Sequence, residues 1–178
     1  MNSTFLDFAT DKQGDALDRA IAWMADRLGP RESPIVDVQY LRQLPAGTFG
    51  RQWIDTMDAA GLVPFSSGSR RQQLHDGVHV LTGYPVDPLG EAEVQAFLTG
   101  AKFQPLHGVM LSQMVVAGTL FKPMVLRVGK RLRAPEIVKH VMMAYRRGRQ
   151  ARLDLDQWEP EKVWELPYGE VQAMFGIG

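Results

Sequence analysis

Apolar residues recur along this chain at the 3.6-residue period of helices, and no stretch alternates long enough for a convincing strand. Thr10 and Gln13 stand at capping-box spacing, and Ala16, Leu17, Ala20, Ile21, Met24 and Leu28 then share one face up to Gly29 and Pro30, which predicts a first amphipathic helix. Thr48 is a suitable N-cap for a second, with Phe49, Trp53, Ile54 and Met57 as its stripe and Gly61 as its stop. Between them, "SPIVDVQYL" is ambiguous between strand and helix. A third helix is expected from about Ser69 to Leu81, halted by Gly83, Pro85 and Pro88. A fourth starts near Leu89 and carries Val94, Phe97 and Leu98 to Gly100.

"PLHGVMLSQMVVAGTLF" is apolar on most sides and reads as a buried helix. Pro135 then opens another, with Ile137, Val138, Val141, Met142 and Tyr145. The tail divides into two short helical pieces at Pro167. With no repeat or low-complexity tract, the expected class is all-α, a single domain over residues 1–178.

Composition narrows the picture. A 178-residue chain with 45% hydrophobic and 22% charged residues is ordinary for one soluble domain. Its formal net charge of zero argues against a nucleic-acid binder, which normally carries a basic excess. The absence of cysteine excludes disulfides and thiolate metal sites, so a metal would rest on histidine, carboxylate or water. The N-terminal stretch has neither the basic start nor the apolar run of a targeting signal, giving a cytoplasmic expectation. The longest apolar segment is broken by His107, Gln113 and Lys122 and falls short of the ~20 residues that span a bilayer.

The candidate chemistry lies in "LHDGVHVLTGYPVDPLGE". His75 and His79 at i and i+4 share a helix face and can converge on one ion, as in the His-Glu-x-x-His zinc helices. Asp76 lies about 100° round the helix from His75, so it is a ligand only if the helix end favours it, and otherwise a supporting partner or base. Glu91 begins the next helix, where a two-helix hairpin could present its carboxylate to the same ion. Two nitrogens with one or two oxygens suit zinc, iron, manganese or cobalt and leave coordination positions open for a substrate oxygen or a water. The histidine pair alone is equally compatible with ordinary helix residues satisfied by their neighbours. A phosphohydrolase of the His-Asp superfamily needs a further metal histidine upstream, and none precedes His75. A zinc peptidase would carry glutamate at position 76 as its base.

Together with "LPAGTFGRQW", "GRQARLDLDQWE" and a terminal "FGIG", this stretch resembles the ubiquinone (coenzyme Q) biosynthesis proteins of the Coq-four family. That family's motif is His-Asp-x-x-His, eleven residues, then Glu, and His75, Asp76, His79 and Glu91 match it at the full spacing. The resemblance runs from about residue 42 to 177. Departures occur at Gln72, where the family commonly has arginine, and in the contracted "FLTGAKF".

The resemblance implies an all-α helical bundle with a divalent metal, often described as zinc, at His75, Asp76, His79 and Glu91, and an apolar cleft for a polyisoprenoid lipid. It also implies a role in ubiquinone synthesis, as an enzyme of oxidative decarboxylation and hydroxylation of a prenylated benzoquinone precursor, with Asp76 and Glu91 as its catalytic groups. The alternative is a non-catalytic lipid-binding scaffold for a quinone-biosynthesis complex. Expected partners are the isoprenoid precursor, other quinone-biosynthesis proteins and, in a bacterium, the inner face of the cytoplasmic membrane as a peripheral contact; a homo-oligomer is compatible with such a protein.

Half of all lysines and arginines fall between Lys122 and Arg152, interrupted only by Glu136. Such a segment suits anionic headgroups or a prenyl phosphate, and equally a solvated helix face. Met110, Met114, Met124, Met142 and Met143 fit either a lipid cleft or the core. His107 and His140 have no partner at ligand spacing and read as structural or surface histidines, and Trp158 reads as packing.

Overall fold

The computed structural model describes residues 32–65, 67–103 and 133–177. Six α-helices and a 3-10 turn make up their regular structure: α1 (Val38–Gln43), α2 (Phe49–Ala60), α3 (Arg70–Thr82), α4 (Pro88–Ala101), α5 (Ala134–Gln150), the turn Pro160–Lys162 and α6 (Tyr168–Met174). Among the described residues the one β feature is an isolated bridge between Thr48 and Pro167. The helix expected before Pro30 and the apolar segment 105–121 lie outside the described residues.

Local chemistry accounts for the helix ends. The ambiguous "SPIVDVQYL" divides at Asp37, whose carboxylate accepts from the Gln39 and Tyr40 backbone N–H groups and caps α1, so that Val38 to Leu41 are helical while Ser33 to Val36 before the cap form neither helix nor strand. Thr48 caps α2, and Gly61 ends it in the left-handed conformation. Asp87 caps α4 through the Leu89 and Gly90 N–H groups, with Pro88 at the first turn. Glu136 accepts from the Arg133 N–H at the start of α5.

The core forms where these helices meet the C-terminal segment. Phe49, Trp53, Trp158 and Trp164 pack as an aromatic cluster, with Trp53 and Trp158 stacked at 6.1 Å and Trp53 and Trp164 edge-to-face at 5.1 Å. Trp158 is therefore packing, as expected from its sequence context. The α4–α5 pair approaches to backbone contact: a Cβ on Gly148 would overlap the Phe97 carbonyl, and one on Gly100 the Tyr145 carbonyl. Arg147 ties α5 to the rest by donating to the Thr82 and Ile177 carbonyl oxygens at 2.6 and 2.5 Å. Among the described residues no helix is long and apolar enough to cross a membrane.

Candidate metal centre

The hairpin from α3 to α4 assembles the site. α3 ends at Gly83, in the left-handed conformation at φ 75°, with its N–H donating to the His79 carbonyl. The chain turns through "YPVD", and Gly90 then lies so close to the loop that a Cβ there would overlap the Pro85 carbonyl oxygen. That approach seats the first turn of α4 against α3 and places Glu91 over the two histidines.

Both Glu91 oxygens are engaged: Oε2 lies 3.0 Å from His75 Nε2 and Oε1 lies 3.0 Å from His79 Nε2. The two imidazoles stand edge-to-face at 5.0 Å. One ligand atom from each of His75, His79 and Glu91 falls within 4.8 Å of the others. The His79 ring is buried at 1% exposure, whereas the side chains of His75 and Glu91 are 23% and 35% exposed. The group therefore opens to solvent on one side.

The donor set fits a cation. His79 Nδ1 faces the Tyr84 carbonyl oxygen at 3.2 Å, an acceptor, so that nitrogen carries the ring proton in the neutral tautomer. Nε2 then presents a lone pair to a carboxylate oxygen 3.0 Å away, and two acceptors face each other in a nearly dry place. Either a second proton or a cation must reconcile them, and an ion between Nε2 and the carboxylate does so for both histidines at once. The Tyr84 carbonyl supplies the outer hydrogen bond that ligating histidines ordinarily make.

The charges describe the proton-bridged alternative. With protons on the two Nε2 atoms, burial pushes the Glu91 carboxyl up, but the hydrogen bonds from His75 and His79 outweigh it and hold the group well below the carboxylate range. Burial works against the His75 charge, yet the Glu91 hydrogen bond prevails and raises the imidazole above its ordinary value.

The structure does not bring Asp76 into the group. Its Oδ2 accepts instead from the Phe65 backbone N–H at 3.2 Å, because the 100° step along α3 turns it toward the loop before the helix. Burial pushes the Asp76 carboxyl up, partly offset by His75 and by the Phe65 N–H. Position 76 is thus a neighbour that feels the site's charges.

Sequence reasoning missed two contributors. The Tyr84 carbonyl is a backbone group that no side-chain letter announces. Gly90 could have been found from its place between a Pro-rich turn and the Glu91 it positions. Replacing Gly90 by Ala should displace the first turn of α4 and weaken metal binding by about tenfold or more, the scale of lost supporting contacts, as read by competition with a chelator of known affinity. An unchanged affinity would show that the loop yields.

These features define, over the described residues, a helical protein with a hairpin-borne His-His-Glu group. The chain is 28% identical over 156 residues to the mitochondrial ubiquinone biosynthesis protein COQ4 homolog of Xenopus tropicalis, covering 80% of this chain and 51% of that protein. It is 27% identical over 160 residues to mitochondrial COQ4 of Candida tropicalis, covering 82% of this chain and 46% of that one. It spans about half the length of these curated relatives. A crystal structure of a proposed ubiquinone biosynthesis protein from Nostoc punctiforme shares the fold, with a TM-score of 0.65 at 20% identity over 80% of this chain and 68% of that one. No family model matches the chain. The chain is a relative of the COQ4 ubiquinone biosynthesis proteins, in keeping with the resemblance read from its motif.

Proposed function

We propose that this chain acts in ubiquinone biosynthesis as a metal-dependent protein on a prenylated benzoquinone precursor, in oxidative decarboxylation and hydroxylation of the ring, with an external two-electron oxidant such as dioxygen supplying the oxygen atom as the carboxylate leaves as carbon dioxide. The observation that carries the reading is the pair of imidazole nitrogens facing the two oxygens of one carboxylate, open to solvent on one side. His75, His79 and Glu91 would hold a divalent ion, with zinc the first candidate. When bound, that ion supplies Lewis-acid polarisation of a coordinated ring carboxylate or hydroxyl. His75, on the exposed side, bounds the approach to the centre, and buried His79 is fixed by the Tyr84 carbonyl. Asp76, whose carboxyl burial pushes up, is the neighbouring group suited to take or return a proton.

One observation favours the alternative of a lipid-binding scaffold at a membrane. On α5, Val138, Met142 and Met143 are exposed at 49%, 44% and 59%, interleaved with exposed Lys139, Arg146 and Arg149. Such a face suits an anionic lipid surface. The rest of the basic segment, from Lys122 to Arg131, lies outside the described residues, as do Met110, Met114, Met124 and His107.

Turnover separates the two readings. Assayed on a prenylated hydroxybenzoate with its partner enzymes, wild-type protein should release carbon dioxide from the ring, and Glu91→Gln should not, although its circular dichroism and lipid binding are unchanged. Turnover retained by the variant would overturn the catalytic reading. Lipid captured in native mass spectra without turnover in either protein would favour the scaffold.

A further inference from the structure

The carbonyl that His79 faces belongs to a turn held by another helix. Tyr84 stands two residues past α3, and its backbone oxygen lies 3.2 Å from His79 Nδ1. Arg147 reaches that turn from α5. Its Nη1 donates at 2.6 Å to the Thr82 carbonyl, one of the last-turn carbonyls left without a partner inside α3, and its guanidinium lies over the Tyr84 ring at 5.3 Å. Its Nη2 donates at 2.5 Å to the Ile177 carbonyl in the C-terminal segment.

The base of that side chain is rigid. Gly148 follows Arg147 where α4 and α5 approach so closely that a Cβ would overlap the Phe97 carbonyl, and Phe97 in turn meets the Tyr84 ring edge-to-face at 6.4 Å. Two turns earlier on α5, His140 Nδ1 pairs with the Glu93 carboxylate at 2.8 Å and ties α5 to α4 again. Both Arg147 bonds come from a charged donor and are of the stronger kind. With its ring against Phe97 and under the guanidinium, Tyr84 has little freedom to swing its carbonyl away from His79.

We propose that Arg147 is a positioning residue for the His-His-Glu centre: by bridging Thr82 and Ile177 and covering the Tyr84 ring, its fork fixes the carbonyl that keeps the proton on His79 Nδ1 and turns Nε2 to Glu91. Its effect on affinity rests on the metal reading above; its hold on His79 does not, because Nδ1 carries a proton toward Tyr84 in the proton-bridged and the metal-bound state alike. Charge alone acts the other way, since a cation near the centre repels a bound ion and its removal tightens binding. The sign of the change therefore separates position from charge.

Arg147→Met keeps the length of the side chain and removes the fork. In NMR of the metal-free full chain, wild type should show a His79 Nδ1–H resonance that exchanges slowly with solvent. Arg147→Met should move that resonance and exchange it about tenfold faster, the worth of one hydrogen bond, at a temperature where circular dichroism shows both proteins folded. A merely structural role would lower the melting temperature and leave the resonance in place. Zinc affinity, read by chelator competition, should fall about tenfold, the lower end of what supporting contacts are worth. Arg147→Lys keeps the charge and one donor without the fork or the planar stack, and should change both readings in the same direction, so the test stands even if the methionine variant does not fold. An unmoved resonance in a folded variant, or a zinc affinity equal to or above that of a zinc-binding wild type, would overturn the proposal. No zinc on wild type, with the resonance still moved in the variants, would refute the metal reading and leave the positioning of His79 standing.

Discussion

Glu91→Gln should empty the metal centre while leaving the fold intact. Among the described residues Glu91 is the one group that hydrogen-bonds both imidazoles, and its carboxylate supplies the negative charge of the triad. The amide that replaces it is neutral, and its NH2 end would point a donor toward one imidazole where the ion needs an acceptor. Loss of a direct ligand should exceed the 10- to 100-fold cost of losing a supporting contact, so affinity should fall by roughly 100-fold or more. Little packing is lost with it, since the side chain is 35% exposed. Inductively coupled plasma mass spectrometry on desalted, tag-free protein should find near one equivalent of a divalent transition metal in wild type and almost none in Glu91→Gln. Acidification should release the ion from wild type, because both histidines must be unprotonated to bind it. Equal metal in wild type and variant, or none in wild type after reconstitution, would return the pair to ordinary helix histidines.

Gly77→Ala should destabilise the aromatic core measurably. Gly77 lies on α3 between Asp76 and Val78, and a Cβ there would overlap the Trp53 six-membered ring and come within 2.8 Å of Trp158 Cη2. Neither indole can swing aside freely, because Trp53 also packs edge-to-face on Phe49 at 5.8 Å and on Trp164 at 5.1 Å. Alanine gains about 1 kcal/mol over glycine as a helix residue, but overpacking at a rigid site costs more, and the net loss should be about 2 kcal/mol. For a chain of this size that is a fall of roughly 4–8 °C in melting temperature. Thermal unfolding followed by circular dichroism reads it directly; a melting temperature equal to or above wild type would mean that the aromatic cluster relaxes around the methyl.

Much of this was legible in the sequence because helix faces and caps are local. Thr48 to Gly61, the histidine helix, the helix opened by Pro135 and the division at Pro167 all follow from periodicity and end residues within one stretch of chain. The "SPIVDVQYL" segment is undecided from sequence because β-branched residues and an Asp cap pull in opposite directions, and both have a share in the outcome: the helix begins at the cap, and the residues before it stay extended or irregular. At the metal centre, spacing brought His75, His79 and Glu91 together, whereas the direction of Asp76 depended on a backbone N–H eleven residues earlier. The Glu93–His140 contact joins residues 47 apart on two helices, and no spacing rule reaches that far.

The position of the His-His-Glu triad within one hairpin also governs what the ion can contribute to folding. Its donors span only residues 75 to 91, so a bound metal would close a short loop whose ends Gly83, the proline turn and the Asp87 cap already bring together. Loop-closure entropy rises with the length of chain enclosed, and a short, pre-bent loop leaves little of it to remove from the unfolded state. Chelation should therefore strip the centre without dismantling the aromatic core, so that a metal held there would exchange while the protein stays folded.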